Sequence, residues 1–473
     1  MRARDALVLP PPQVTEEATE EQPLPPCHRS IRAPYTVLFL LLATGVLPAL
    51  TLAAVESSRG HLLLFAGELL LAAASLEWAW LSFRVRQKLL FTLRVAATPS
   101  DAAAPESEAC LEVQHNNHEP ESARSLGTPT AAELFRQRQR AMRPAQCAVS
   151  EIAARRCGGR WYIPAAVAAS LGAATILALV YLLERAVFES DKRAIGWQML
   201  VAVTVVGVFG ALFLGCLAPS KLDAFVILVY VSCYVASSMN TFLMFYARSI
   251  GELELIDPLF ALLVGACVVV VARIITSKFV MESLLLLLFD LLGLLLLAAP
   301  MLTAADFVDH PGAEQHRDKL ALFTVVVLAS EAGYWLTKRL GARHSQRLSV
   351  LPLCRRSHDE QTPSPLKTEV AARSELEALA GAVVLGALML PLSLVWVAPD
   401  ALRWPEALVL VLALVLGQWS RVFLANLKRL AEVSSTGFYL PADSHIGGVL
   451  DRLAVFLVAV VVYHPYVKHI YYK

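Results

Sequence analysis

The fold class that the sequence predicts is an all-α, polytopic membrane helix bundle with its N-terminus in the cytosol, and three observations predict it. The 473-residue chain is 56% hydrophobic and only 17% charged, well under the roughly 25% charge of soluble domains. Its mean hydropathy is +0.56. The apolar residues gather into about eleven runs of about 18 to 25 residues, each long enough to cross a hydrocarbon core of roughly 30 Å. A soluble enzyme is thereby excluded. Lys plus Arg number 41 against 40 Asp plus Glu, so no global field draws in nucleic acid. The 8 Cys lie without paired short spacings, which argues against both a zinc site and a disulfide framework.

The elements follow in order. Residues 1–34 are polar and Pro-rich and read as a disordered cytosolic N-terminus; the first apolar run starts too far along the chain for a cleaved signal peptide. Spans are expected at 35–55 and 62–83, an N-terminal pair. Residues 84–160 form a basic cytosolic loop carrying Arg84, Arg86, Lys88, Arg94, Arg155, Arg156 and Arg160, with a disordered insert at 97–130 and a short basic helix at 131–143. A central bundle over 161–319 holds spans at 161–187, 197–217, 222–246, 256–276 and 279–302. The C-terminal region, 320–473, holds spans at 320–336, 378–398, 407–427 and 448–466. Basic residues stay on the cytosolic side of short loops. The eleven-span count places 84–160, 338–373 and 428–451 together there, and the acidic link 306–314 outside.

A charge at the bilayer centre costs roughly 2.5 to 3.5 kcal/mol, which singles out Glu68, Glu77, Glu282, Asp290 and Glu331. Glu77 is expected to reach water at the cytosolic end of its span. Asp290, inside a leucine-rich run, needs a partner such as Ser, Tyr or Arg on another span. The last third is richer. Ser330, Glu331, Gly333 and Tyr334 end a span and lead to Lys338-Arg339. Ser364, Pro365, Leu366, Lys367, Thr368 and Glu369 precede the next. After the tenth span come Lys428-Arg429, Ser434-Ser435-Thr436-Gly437, Pro441, Asp443, His445, Gly447-Gly448 and Asp451-Arg452. Lys and Arg neutralise phosphate oxygens, glycines admit close backbone approach, and a carboxylate can hold Mg²⁺, so the set suits a polyphosphate at the membrane surface. Topology-setting and contact with anionic lipid would equally account for the basic residues.

In order and spacing these pieces resemble the phosphatidate cytidylyltransferase (CDP-diacylglycerol synthase) family, over about the last 150 residues. That family reads approximately Asp-Thr-Gly-Ala-Tyr, Gly-Arg and Ser-Pro-Lys-Lys-Thr-Trp-Glu-Gly, matched here by Ser330 to Tyr334, Lys338-Arg339 and Ser364 to Glu369. Its C-terminal signature, approximately Gly-Gln-x-Gly-Asp-Leu-x-x-Ser-x-x-Lys-Arg and then Pro-Gly-His-Gly-Gly-x-x-Asp-Arg, is matched by Gly417-Gln418-Trp419-Ser420-Arg421, Lys428-Arg429, Pro441 and Gly447 to Arg452. This chain departs from the pattern where the family's metal-ligating Asp falls on Arg421, its Lys-Asp pair falls on Ser434-Ser435, and the glycine turn is three residues longer, putting His445 out of register.

The resemblance implies cytidylyl transfer from CTP to phosphatidate, giving CDP-diacylglycerol and pyrophosphate. It implies Lys428, Arg429 and Asp451 as catalytic residues, Lys367, Ser364, Arg452, Gly447 and Gly448 as substrate contacts, and Mg²⁺ on Asp451; the carboxylate missing at Arg421 is expected from the lengthened loop, where Asp443, or else Glu432, can supply it. It also implies an endomembrane location, the endoplasmic reticulum or another. The sequence leaves a homodimer open. It also leaves open a catalytically impaired scaffold or lipid-binding protein, a CTP-dependent polyprenol kinase, and, resting only on Asp290 and Glu282, a transporter.

Overall fold

The computed structural model describes residues 60–97, 147–158, 160, 162–187, 194–246, 257–276, 280–308, 314–348, 365–396, 404–431, 433, 436 and 448–471. The expected N-terminus and first span, most of the insert, the basic helix at 131–143, Ser364, Asp443, His445, Gly447, Ser434-Ser435 and Glu432 lie outside these residues, as do the side chains of Lys367 and Glu282.

Every described segment of length is helical: α1 (Gly60–Ala97), α2 (Ser150–Arg156), α3 (Tyr162–Val187), α4 (Ala194–Gly215), α5 (Lys221–Tyr246), α6 (Pro258–Thr276), α7 (Val280–Gly293), a π-helical turn (Leu294–Ala298), α8 (Ala299–Val308), α9 (Glu314–Leu348), α10 (Pro365–Trp396), α11 (Trp404–Leu430) and α12 (Val449–Tyr471). With α7, the π turn and α8 taken as one rod, ten of the eleven expected spans fall on these helices in order, and among the described residues nine helices are long and apolar enough to cross a membrane. The chain is a multi-pass membrane protein. All-helical spanning is what the bilayer demands, because backbone N–H and C=O groups have no water there and must be satisfied within the segment.

Several helices overrun the apolar runs that nucleate them. α1 continues through residues 84–97, so Arg84, Arg86, Lys88 and Arg94, expected in a loop, lie on a helix. Arg86 is buried and close enough to Asp290 to act on it electrostatically. α9 likewise runs 12 residues past the expected end at 336, carrying Lys338 and Arg339 with it.

α1 is the axis of the molecule. Its span Leu64–Leu90 is 83% buried, against 17% for Tyr162–Leu179 of α3 and 22% for α6, which face outward. One core cluster joins Leu71, Leu76 and Trp80 of α1, Ala211 of α4, Ile227 of α5, Leu302 of α8, and Leu450 and Leu453 of α12. N-terminal and C-terminal helices therefore share one core. A second cluster lies between α8 (Phe307), α9 (Phe323), α11 (Leu414) and α12 (Tyr463). α9 pairs along its length with α10, and α11 with α12.

The π turn has a local cause. The Tyr230 hydroxyl of α5 donates to the Asp290 carbonyl while the Leu294 N–H bonds the same hydroxyl. These two backbone groups would otherwise close an i to i+4 bond, so the tyrosine is wedged into the ladder. Trp78 Nε1 donates to the preceding carbonyl, Phe289, at 3.0 Å.

Candidate functional site

The helices alternate in direction, so the C-terminal ends of α1, α4, α6, α9 and α11 share one end of the bundle with the N-terminal ends of α5, α7, α10 and α12. This is the end that the basic loops assign to the cytosol. Of the sequence-predicted residues, Lys428, Arg429, Gly448, Asp451, Arg452 and the backbone of Lys367 all lie at it.

Asp451 stands in the first turn of α12. Its Oδ1 accepts from Lys428 Nζ at 2.9 Å, and its Oδ2 accepts the Gly448 N–H at 3.1 Å and the Thr436 N–H at 3.4 Å. An acid three residues past the N-cap that reaches back to the N-cap N–H is half of a capping box. Gly448, expected to meet substrate, thus spends its N–H on the helix start. The next two N–H groups, of Val449 and Leu450, are taken by Glu77 Oε1 and Oε2 at 3.0 and 2.8 Å, and Thr436 Oγ1 adds a bond at 3.0 Å. Glu77 is buried and caps α12 rather than reaching water, because the orphan donors of a helix N-terminus favour an anion.

Beside this cap lies a set of residues that convergence of α9, α10, α11 and α12 creates. Helical spacing puts Glu331, Tyr334, Trp335 and Lys338 along one side of α9. Arg421 Nη2 donates to both carboxylate oxygens of Glu331, at 2.7 and 2.6 Å, and its guanidinium lies 3.9 Å from the Tyr334 ring centroid. Arg452 lies 4.3 Å from the Trp335 ring centroid. Lys338 Nζ reaches Glu375 Oε1 of α10 at 2.8 Å and the Tyr334 hydroxyl at 3.1 Å, and that hydroxyl donates to Glu375 Oε2 at 2.7 Å. α9 and α10 come this close because residue 333 is glycine: a Cβ there would sit 2.6 Å from the Gly381 carbonyl oxygen. One turn deeper, Gln418 Nε2 donates to Ser330 Oγ at 2.9 Å.

Four cations, Lys338, Arg421, Lys428 and Arg452, face three carboxylates, Glu331, Glu375 and Asp451. The Nη1 of Arg421 and the Oε1 of Gln418 are buried with no hydrogen-bond partner. Arg429 is exposed at the rim. A guanidinium stacked on an aromatic face is a group suited to phosphate oxygens.

The described residues do not fit Mg²⁺. Lys428 holds the position a cation would take on Asp451, Arg421 occupies both carboxylate oxygens of Glu331, and no three His, Cys, Asp or Glu converge among the described residues. What the sequence reading missed is pairing: Glu331 with Arg421, Glu375 with Lys338 and the aromatic platform under the two arginines. The spacing of Gly448 and Asp451 would have signalled the cap.

Three further ionic groups lie elsewhere. Arg273 of α6 donates to Asp290 Oδ2 and Oδ1 at 2.5 and 3.1 Å and to Asp223 Oδ1 at 2.7 Å. Asp290 thus has its expected Arg partner, as an ion pair. At the opposite end Lys319 bonds Glu406 at 2.6 Å with Tyr463 at 2.7 Å, and Asp306 accepts from Lys468 at 2.9 Å and meets His464 at 2.9 Å.

Neither a scan against models of protein families nor a search of curated proteins returns a match to this chain.

Proposed function

We propose that the chain is a lipid-binding membrane protein that receives the phosphate headgroup of an anionic lipid, phosphatidate foremost, at the cytosolic ends of α9 to α12. The observation that carries this reading is Arg421: a guanidinium stacked on Tyr334, fixed by Glu331, with Nη1 buried and without an acceptor. A phosphate oxygen satisfies that donor and adds a charge-assisted bond. Arg452 on Trp335 offers a second guanidinium at the same level, and Lys338 and Lys428 supply mobile charge. The site opens where a leaflet presents its headgroups, so the ligand arrives without leaving the membrane.

The test is lipid retention by the full chain in nanodiscs of mixed phosphatidate and phosphatidylcholine. Phosphatidate is retained at least tenfold over phosphatidylcholine, and Arg421→Gln lowers that preference about tenfold, the loss expected for one charge-assisted phosphate contact. Equal retention of the two lipids rules the proposal out.

One observation favours a second reading, cytidylyl transfer: segments resembling the cytidylyltransferase pattern, Ser330 to Tyr334 on α9, Gly417 to Arg421 and Lys428-Arg429 on α11, and Gly448 to Arg452 at α12, lie on three neighbouring helices. In that reaction a phosphatidate oxygen attacks the α-phosphorus of CTP and pyrophosphate leaves, with the same cations neutralising the phosphates. Incubation with CTP labelled in the cytidine or in the γ-phosphate decides. Cytidine in the lipid supports the transferase, γ-phosphate alone a polyprenol kinase, and neither the binding protein.

A further inference from the structure

Five acids are buried among the described residues: Glu68, Glu77, Asp223, Asp290 and Glu406. Four are held by cations or by backbone and hydroxyl donors. Glu68 is the exception: it is 0% exposed, and neither Oε1 nor Oε2 has a hydrogen-bond partner. It lies inside the span Leu64–Leu90 of α1, where α4 and α5 cross it. Residue 207 of α4 is glycine, and the missing side chain is what accommodates the carboxyl: a Cβ at Gly207 would sit 3.1 Å from Glu68 Cδ and 2.9 Å from Val235 Cγ2.

The other groups around it bring no charge. From α5 come Val235 and Tyr234, whose hydroxyl is turned to the Leu64 carbonyl at 3.4 Å. From α8 comes Met301, in contact with the neighbouring turn at Gly67. The described side chains of α4, from Thr204 to Gly215, include no charged residue. Of the side chains in contact with Gly67 and Gly207 here, Tyr234 and Glu68 are the titratable ones. An ionised carboxylate there would have neither counter-charge nor donors, an arrangement that membrane interiors do not hold. The neutral acid fits.

We propose that Glu68 is a proton-binding site within the membrane, separate from the headgroup site and tied to the packing of α4 against α1 at Gly207. Release of the proton leaves a charge that the closed seam cannot keep, so it requires α4 to part from α1 and admit water or a cation. Intramembrane acids that bind and release protons in this way belong to relays and to proton-coupled conformational cycles.

The test uses dicyclohexylcarbodiimide, which enters the bilayer and reacts with protonated acids. The acid proton passes to one carbodiimide nitrogen, the carboxyl oxygen bonds the central carbon, and acyl transfer to nitrogen leaves a stable N-acylurea with no group lost. The full chain in nanodiscs is treated across pH 6 to 9 and mapped by mass spectrometry, and its melting is compared with that of Glu68→Gln. The expected result is an adduct on Glu68 whose yield falls at least tenfold as pH rises, absent from Glu68→Gln. Melting of the two proteins coincides at pH 6, and at pH 9 the wild type melts several degrees lower, because base withdraws the proton that the closed seam needs. Superimposed melts at every pH overturn the proposal, as does an adduct yield that ignores pH. A Glu68→Gln protein that melts earlier throughout does the same. Should labelling fail while the melts diverge as stated, the proton site stands and only reagent access is lost.

Discussion

Two arginines on different helices sit between acids, and they end in opposite conditions. Arg273, in the last turn of α6 at the same end of the bundle, is buried, and its Nε and Nη2 serve Asp290 and Asp223. Arg421, at the basic end, bonds Glu331 through Nη2 alone, lies on an aromatic ring and keeps Nη1 without an acceptor. The first is a closed knot in which charge balance serves packing. The second is incomplete, with one guanidinium nitrogen left over, and the proposed headgroup reading rests on that difference. The difference teaches that counting charged residues in a membrane protein says little until each donor has been followed to its acceptor.

The largest way to break the comparison is Arg273→Ala, which strands two buried carboxylates and is expected to cost about 3 to 5 kcal/mol. Thermal unfolding in nanodiscs measures it, and a loss below about 1 kcal/mol would show that the knot is not closed. Next comes Glu77→Ala, which removes the acceptor from two backbone N–H groups of α12 and is expected to cost about 2 kcal/mol. Faster hydrogen exchange confined to the first turn of α12 is its signature. Trp78→Phe keeps the ring but strips the donor from the Phe289 carbonyl beside the π turn, at about 1 kcal/mol. The smallest effect belongs to Lys338→Met, under about 1 kcal/mol in stability since the Lys338 to Glu375 pair is half-exposed. It sharpens the comparison, because phosphatidate retention should still drop severalfold.

The spans were legible because hydropathy is a property of consecutive residues, and the ten described helices fall on the ten expected runs they cover. Their ends were not, because α1 and α9 continue on ion pairs and packing that a hydropathy window does not sense. That Asp290 needed a partner could be read from its leucine-rich surroundings; that the partner is Arg273 could not, since the choice depends on how α6 and α7 pack. Glu77 was misplaced for the same reason: the donors that its carboxylate accepts from lie 359 to 373 residues away. The basic end itself was legible as a cluster, but the contacts of Asp451 with Lys428 and the Gly448 N–H at the start of α12 were not, since they depend on how α11 meets α12.

The tyrosine wedge at Asp290 and Leu294 gives the long rod from Val280 to Val308 one surplus residue near its middle. Were Tyr230 to withdraw and the ladder to close, everything beyond the wedge would turn by about 100° and advance about 1.5 Å, the step of a single residue. Asp306 rides on that part, so such a click would carry it off Lys468 and His464 at the far face. Such a rod would act as a keyed shaft, turning the far face by one tooth when the wedge at its middle is withdrawn.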